Sequence, residues 1–154
     1  MMSVETLANV ILNNCDNISN KKIQKLSYYV YVWYLTIYNR EIAHMSFEAW
    51  EHGPVCRYLY NKYKKYGWNV IPAYEGFVLA SDGDIKFIQS VLNVYGHHTA
   101  DELENMTHAE LPWKEARNSG GQKIVSNSVI SPDIMIQYYS TQTGIRNKIL
   151  ECIE

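Results

Sequence analysis

The segment from Leu26 to Asn39 restricts the fold more than any other part of this chain, because it holds 14 consecutive residues without a charge. It is shorter than the roughly 20 apolar residues that a membrane-spanning helix needs, and it is rich in tyrosine. Ser19 is a good helix cap, so the sequence predicts one long buried helix from Asn20 to Tyr38.

Apolar side chains at spacings of three and four place two stripes on this helix, on nearly opposite sides. One stripe consists of Ile23, Leu26, Val30, Trp33 and Ile37, and the other of Tyr28, Tyr31, Leu35 and Tyr38. A helix that is apolar on two faces belongs in the middle of a bundle.

Capping residues and apolar spacing predict shorter helices around this segment. They run from the Ser3 cap to Asn14, Val55 to Tyr66, Asp82 to Tyr95 after Ser81, Thr99 to Met106 in a capping box with Glu102, Leu111 onward, Ser131 to Tyr139, and Gly144 to Cys152. Pro54 is assigned to the start of the helix from Val55 to Tyr66, the third along the chain, since the first helical position tolerates a missing N–H.

Two stretches lack the helical period. Residues 69–80 read as two short strands of a small β-hairpin, with an ordered loop as the alternative. The polar stretch from Asn118 to Val129 contains Gly120 and Gly121 and predicts a surface loop. The fold class is therefore mainly α, a helical bundle around a central long helix that forms a single domain over residues 1–154.

The charge balance and the cysteine count limit the cellular compartments and the classes of partner to be expected. The 14 Lys and Arg against 16 Asp and Glu give a net charge of -2, which supplies no domain-wide basic field for nucleic acid or an anionic membrane. Three cysteines are too few for a disulfide framework, and the first residues lack the basic start of a signal peptide. We expect a cytoplasmic protein with no membrane partner.

Two groups of residues were candidates for chemistry, and neither has the required pattern. His97, His98 and His108 lack the repeated short spacings of zinc ligands. Cys56 and His52 are separated by a Gly-Pro break and are not part of a nucleophile elbow. The glycines form no phosphate-binding loop. The sequence therefore predicts no catalytic residues, no metal and no cofactor.

The run from Lys62 to Tyr66, together with Lys21, Lys22 and Lys25, interleaves cations with aromatic rings as single-stranded nucleic-acid grooves do. Helical spacing separates the lysines of this run from its tyrosines, which weakens the pattern. A nucleic-acid-binding regulator of a phage or mobile element remains the alternative function.

Tyrosine is the most over-represented residue, with 13 among 154. Tyrosine is enriched at protein–protein interfaces because it buries a large area at low entropic cost and keeps one polar group. A core with internal hydrogen bonds also accommodates tyrosines. The composition therefore favours a protein-binding surface beside a polar core.

Three groups of motifs occur in order along the chain. They are KIQKLSYY at Lys22–Tyr29, EAWEHGPV at Glu48–Val55 followed by Tyr60, Tyr63 and Gly67, and Leu103 with THAE at Thr107–Glu110 and Pro112–Trp113. As an ordered set, spanning roughly residues 5 to 140, they resemble the SocA-like Panacea-domain family, which includes many phage-associated proteins of the GepA type.

The resemblance implies a mostly helical antitoxin that binds and neutralises a protein toxin encoded nearby, and it brings no established catalytic residues. Self-association is a further expected interaction. The candidate partner-binding residues are the aromatic contact or scaffold residues Trp50, His52, Tyr60 and Trp113, and the residues that shape the motif region, Lys25, Gly53 and Pro54. Core packing is the competing explanation for several of them.

Overall fold

The computed structural model describes residues 1–118 and 128–153, and these form eight α-helices and one short antiparallel hairpin. The elements are α1 Val4–Asn14, α2 Asn20–Tyr38, β1 Glu48–Trp50, β2 Gly53–Val55, α3 Arg57–Tyr63 with a 3₁₀ turn at Lys64–Tyr66, α4 Asp82–Tyr95, α5 Ala100–His108, α6 Leu111–Arg117, α7 Pro132–Tyr139 and α8 Thr143–Ile153. The mainly α fold is confirmed. Most of the predicted Asn118–Val129 loop lies outside the described residues.

Helix α2 lies at the centre of the bundle, as its two stripes predict. It contacts α1, α4, α5, α7 and the hairpin, and every residue from Lys22 to Leu35 is buried. Its Ser19 cap accepts the Lys22 N–H at 3.2 Å, and it ends at Asn39 in the left-handed conformation. No helix within residues 1–118 and 128–153 has the length and hydrophobicity to cross a bilayer.

Local capping signals placed most other helices correctly. The side chains of Ser3, Ser81 and Ser131 each accept a backbone N–H from the first turn of α1, α4 and α7. Thr99 and Glu102 form the predicted capping box at the start of α5. Each cap satisfies an N–H group that has no partner within its own helix.

The hairpin replaces the predicted start of the third helix. Gly53 and Pro54 belong to β2, which pairs with β1, and α3 begins only at Arg57. The assignment of Pro54 to a first helical position was therefore wrong. The reason is conformational: Gly53 has φ +111°, and the backbone N–H of Cys56 donates to the side-chain oxygen of Gln24 at 2.9 Å. Both features keep the segment from Gly53 to Cys56 extended.

Residues 69–80 form no strand, so the predicted β-hairpin there was wrong and the ordered-loop alternative is confirmed. The backbone of this loop is hydrogen-bonded to the helical bundle instead of pairing as two strands. Ile71 N–H donates to the carbonyl of Ile18 at 2.8 Å, and Tyr74 N–H donates to Asn13 Oδ1 at 2.9 Å. Pro72 lacks a donor for strand pairing.

A polar cluster lies inside the bundle, which we call the tyrosine cluster: Tyr28, Tyr29, Trp33, Tyr95, Glu110 and Tyr139. The hydroxyls of Tyr29 and Tyr139 each donate to Glu110 Oε1 at 2.9 Å. Tyr29 stacks on Tyr95 with ring centroids 3.9 Å apart, and Trp33 Nε1 donates to the Tyr95 hydroxyl at 2.9 Å. Burial raises the pKa of Glu110 to about 7.

Seven of the 13 tyrosines are buried, so a large share of the tyrosine content belongs to the core. Five of their hydroxyls form hydrogen bonds within the bundle, those of Tyr28, Tyr29, Tyr34, Tyr95 and Tyr139, whereas the buried hydroxyl of Tyr63 has no partner among the described residues. The remaining tyrosines reach the surface to different degrees, and Tyr60 of α3 is among them. Two of the tyrosines that reach the surface, Tyr58 and Tyr60, lie on α3 next to the hairpin.

Candidate functional site

The β1–β2 hairpin lies directly on α2 because Gly53 has no side chain. A Cβ at this position would come within 2.6 Å of Lys25 Cε and 3.1 Å of Thr107 Oγ1. Its φ of +111° is also a conformation that other residues rarely adopt. Gly53 therefore allows close contact of the hairpin with both α2 and α5.

Lys25 lies under this hairpin with its side chain almost entirely out of solvent, at 1% exposure. Its ammonium group donates to the carbonyl of Pro54 at 3.3 Å. Burial, and to a smaller extent the positive charge of Lys21, lowers the pKa of Lys25 to about 7, while the charge of Glu104 opposes the shift. Lys25 thus connects the centre of α2 to the motif strand.

Beside Lys25, an ion-pair cluster joins α2 to α5. Lys21 Nζ lies 2.6 Å from Asp101 Oδ1 and 2.5 Å from Glu104 Oε1, and His52 Nδ1 lies 3.4 Å from the Glu104 carboxylate. Burial alone would raise the pKa of Glu104, but its hydrogen bonds to Lys21 and His52 hold that pKa below its ordinary value. Glu104 therefore already has a cationic partner in Lys21 and a hydrogen-bond partner in His52.

The outer edge of the hairpin carries aromatic and cationic groups. The rings of Trp50 and Tyr60 meet edge to face with centroids 4.9 Å apart. Arg57 lies 5.5 Å from the Trp50 ring centroid and donates to Glu48 at 2.9 Å. The hydrogen bond from Arg57 lowers the pKa of Glu48. These contacts hold Trp50 in one orientation.

Trp113 supports the hairpin from α6. Its indole N–H donates to the carbonyl of Trp50 at 2.9 Å, and its ring stacks on His108 with centroids 4.0 Å apart. Arg117 of the same helix donates to the carbonyl of Ala49 at 2.9 Å. Trp113 is therefore placed to brace β1.

A surface groove of about 790 Å³ opens between the hairpin, α2 and α3, and we call it the Lys25 groove. Four of the seven predicted site residues line it: Lys25, Trp50, His52 and Tyr60. The other three do not line it: Gly53 and Pro54 lie in the strand over Lys25, and Trp113 lies behind Trp50.

Sequence reasoning missed several residues of the groove, among them Gln24, Arg57, Lys64 and Trp68. Gln24 holds the hairpin by accepting from Cys56 N–H while donating to Asn20 Oδ1 at 3.1 Å. Trp68 is 87% exposed and follows the helix-ending Gly67. A large aromatic residue directly after a helix end was the available signal for this position.

The basic residues of α2 do not form a free patch. Lys22 is buried and donates to the carbonyl of Gly96 at 2.8 Å, Lys25 is buried under the hairpin, and Lys21 is paired with two carboxylates. Three of the lysines that suggested a nucleic-acid groove are therefore engaged inside the protein. Lys64 and Lys65 remain exposed beside the Lys25 groove.

The histidine and cysteine residues that were candidates for metal binding or nucleophilic catalysis are not arranged for either. Within residues 1–118 and 128–153, no three His, Cys, Asp or Glu side chains come together as metal ligands do. Cys56 is buried, and burial raises the pKa of its thiol, whereas a nucleophilic cysteine needs a lowered one. His52 pairs with Glu104.

The chain is thus a small helical bundle with a recess lined by aromatic and cationic side chains. A model of the family described as antitoxin SocA-like, Panacea domain, matches residues 23–114. The match covers more than half of the chain and includes most of α2, the hairpin and α3. The chain therefore belongs to the SocA-like, Panacea-domain antitoxin family. Neither the curated proteins nor the solved structures contain a significant match to it.

The matched region is narrower than the span of roughly residues 5 to 140 over which the motifs were interpreted. It begins after α1 and ends within α6, so α1, α7 and α8 lie outside it. The Lys25 groove, by contrast, is lined almost entirely from inside the match. The groove is therefore a feature of the family portion of the chain.

Proposed function

We propose that this chain is an antitoxin that neutralises a protein toxin, encoded nearby, by direct contact through the Lys25 groove and its rim. Family membership supports a general antitoxin role. The observation that carries the contact mechanism is a preformed groove, lined by aromatic and cationic side chains, within the matched region.

The side chains around the groove are those that dominate protein–protein binding energy. Trp, Tyr and Arg are enriched among interface residues whose truncation is most costly. Trp50 and Tyr60 are half-buried, and Arg57 and Trp68 are exposed. Each retains surface area that a partner can cover.

The groove is also held in shape before any partner arrives. Gln24 fixes the strand that follows Gly53, Arg57 and Glu48 orient Trp50, and Trp113 braces the strand behind it. Preorganisation reduces the entropy that association must remove. In this proposal, Trp50, His52 and Tyr60 contact the toxin, while Lys25, Gly53, Pro54 and Trp113 maintain the surface.

The contact face extends from Trp68 along the loop of residues 67–80. In this loop Trp68, Val70, Phe77 and Leu79 are 87%, 55%, 83% and 78% exposed. Exposed apolar side chains that form a patch mark interaction sites, and these four belong to one loop. The toxin therefore has both a recess and an apolar surface available on the chain.

Neutralisation of this kind needs complementary surface and no chemical step. We therefore propose a non-enzymatic protein that requires no metal or cofactor, acts in the cytoplasm and has the toxin as its principal partner. A stable interface of standard size buries about 1,600 Å² in total, and the groove with the adjoining loop provides a centre for such an interface.

A growth assay tests the proposal. Each neighbouring gene is expressed in a heterologous bacterial host, alone and together with this chain. We expect one neighbour to stop growth and the wild-type chain to restore it. Tyr60→Ala, in the groove, is expected to lose rescue, whereas Tyr58→Ala is the matched control, since Tyr58 is 53% exposed on α3 and does not line the groove.

Two outcomes would contradict the proposal. If no neighbouring product is toxic, or if the chain fails to relieve a toxic one, the antitoxin role is wrong. If Tyr60→Ala and Tyr58→Ala rescue equally well at equal protein levels, the groove is not the contact face. Thermal unfolding of both variants shows whether a loss of rescue comes from a loss of folding.

A further inference from the structure

Lys25 lies at the floor of the Lys25 groove, and its ammonium group has an incomplete set of partners. A lysine ammonium has three donors, and the structure gives Lys25 one acceptor, the Pro54 carbonyl at 3.3 Å. Buried charges are normally paired. Among the described residues no carboxylate forms an ion pair with Lys25, since Glu104 is held by Lys21 and His52.

Lys22, three positions earlier on the same helix, provides an internal comparison. It is also buried, but its ammonium donates to the Gly96 carbonyl at 2.8 Å and does not line the groove. Lys25 is more deeply buried, makes a longer hydrogen bond and faces the groove. Only the second arrangement leaves a buried amino group next to a recess that a ligand can enter.

The rim carries a second cation without a partner. Lys64 lines the groove, is exposed, and makes no ion pair with any carboxylate of residues 1–118 and 128–153. Lys21 and Arg57, the other basic residues of the lining, are paired with Glu104 and Glu48. The lining also contains one carboxylate, that of Glu51, against the four basic side chains Lys21, Lys25, Arg57 and Lys64. The groove therefore still offers positive charge at its floor and at its rim, and Trp50 and Tyr60 lie in its walls.

We infer that the Lys25 groove receives an acidic segment of the toxin, in which one Asp or Glu side chain reaches Lys25 and an adjoining apolar side chain packs on Trp50 and Tyr60. This inference rests on the proposed function and specifies the chemistry of the partner. An acidic side chain is expected because its charge is complementary to Lys25 and Lys64. Cations at both floor and rim favour an internal segment with two acidic residues, because a single chain terminus supplies one carboxylate.

Capped peptides test the inference without the toxin. The first probe is acetyl-Gly-Asp-Phe-Asp-Gly-amide, and the matched probe replaces both Asp residues by Asn, which keeps the shape and removes the charge. A third probe, acetyl-Gly-Asn-Phe with a free carboxylate, represents a chain terminus. Binding is followed by the NMR shifts of the indole N–H groups of Trp50 and Trp68.

We expect the acidic peptide to bind the full chain at least tenfold more tightly than the Asn peptide. Lys25→Met should remove this preference, and Lys64→Gln should reduce it. Lys86→Met is the matched control, since Lys86 is exposed on α4 outside the groove, and it should bind as the wild type does. Lys64→Gln changes an exposed side chain, so it stays informative if Lys25→Met fails to fold.

The inference is wrong if the acidic and Asn peptides bind alike, if neither Lys25→Met nor Lys64→Gln changes affinity, or if only the peptide with a free carboxylate binds. Its failure can be separated from failure of the proposed function. A toxin complex that forms while the acidic peptide does not bind leaves the antitoxin role intact. An acidic peptide that binds a chain without antitoxin activity leaves the groove chemistry intact.

Discussion

The tyrosine cluster and the Lys25 groove use the same helix, α2, in opposite ways. In the first, the Glu110 carboxyl accepts hydrogen bonds from two hydroxyls of packed aromatic rings. In the second, the Lys25 ammonium has one carbonyl partner and lies beside open space. Burial moves the pKa of both groups to about 7. One region is complete within the fold, and the other is, in our proposal, completed by a partner.

The aromatic residues of this chain divide between two environments. Rings that contact other rings on several sides stabilise the fold, whereas rings with one supported side and one open side are free to bind. Tyr139 is of the first kind, at 1% exposure, and Trp68 of the second, at 87%. The comparison predicts that stability and partner binding respond to different substitutions.

The largest effect on stability is expected from Tyr139→Ala. Tyr139 contacts the rings of Tyr28, Tyr29 and Trp33 and donates to Glu110, so its removal leaves a cavity and an unpartnered carboxyl. Truncation of a large buried aromatic residue lowers the free energy of unfolding by about 3–5 kcal/mol. Urea denaturation measures this loss. A change under about 1 kcal/mol would show that the tyrosine cluster does not support the bundle.

Gly53→Ala is expected to affect both the stability of the chain and its binding to the toxin. The substitution introduces a strained φ, which costs on the order of 1–3 kcal/mol, and it pushes against Lys25 Cε. It should therefore lower stability and also weaken toxin binding. Denaturation and binding are measured on the same protein.

Gly83→Ala is the matched control for that substitution. Gly83 lies in α4, and an added Cβ meets nothing within 4 Å. Alanine in a helix is favoured over glycine by about 0.5–1 kcal/mol, so this variant should be as stable as the wild type or more so. Equal behaviour of the two variants would contradict the close contact at Gly53.

The pH dependence of stability separates the two buried ionisable groups. The pKa of Glu110 is raised from 4.5 to about 7, so the folded chain holds a proton that the unfolded chain releases. Its contribution to stability is full below pH 4.5 and is lost as the pH rises to about 7, with a slope of at most about 1.4 kcal/mol per pH unit. Glu110→Gln should remove this slope, and an unchanged slope would contradict the assignment.

Lys25 is expected to change the free energy of unfolding in the opposite direction, and at higher pH. Its pKa is lowered from 10.5 to about 7, so the folded chain has released a proton that the unfolded chain still holds. Stability should therefore rise between about pH 7 and 10.5. Denaturation of Lys25→Met across this range should show a smaller rise than the wild type. Lys86→Met, on the surface of α4, should follow the wild-type profile.

The smallest effect on stability is expected from Trp68→Ala. Because Trp68 is 87% exposed, the free energy of unfolding should change by no more than about 0.5 kcal/mol. Toxin affinity should nevertheless fall, measured by calorimetric titration. A large loss of stability, or unchanged affinity, would place Trp68 outside the contact face.

The helices were predictable because their signals are local. Ser19 bonds an N–H three residues away, and Thr99 and Glu102 form a reciprocal box, so residue type and spacing were sufficient. The two-striped pattern of α2 likewise predicted its central position. The antitoxin family and four groove-lining residues followed from ordered motifs.

The hairpin and much of the site were not predictable because they depend on contacts between distant residues. Cys56 N–H bonds to Gln24, 32 residues away, and this bond helps to keep Gly53 and Pro54 out of a helix. Tyr29 meets Glu110 across 81 residues. Nothing in the local sequence distinguishes the buried Lys25 from the paired Lys21. Only the packing of β2 on α2 does so.

The central claim is that this chain binds its toxin through the Lys25 groove, and calorimetric titration of the purified toxic neighbour with the purified chain tests it most directly. We predict saturable binding to the wild type, similar binding to Tyr58→Ala and at least tenfold weaker binding to Tyr60→Ala. Absence of binding to the wild type, or equal dissociation constants for all three proteins, would contradict the claim.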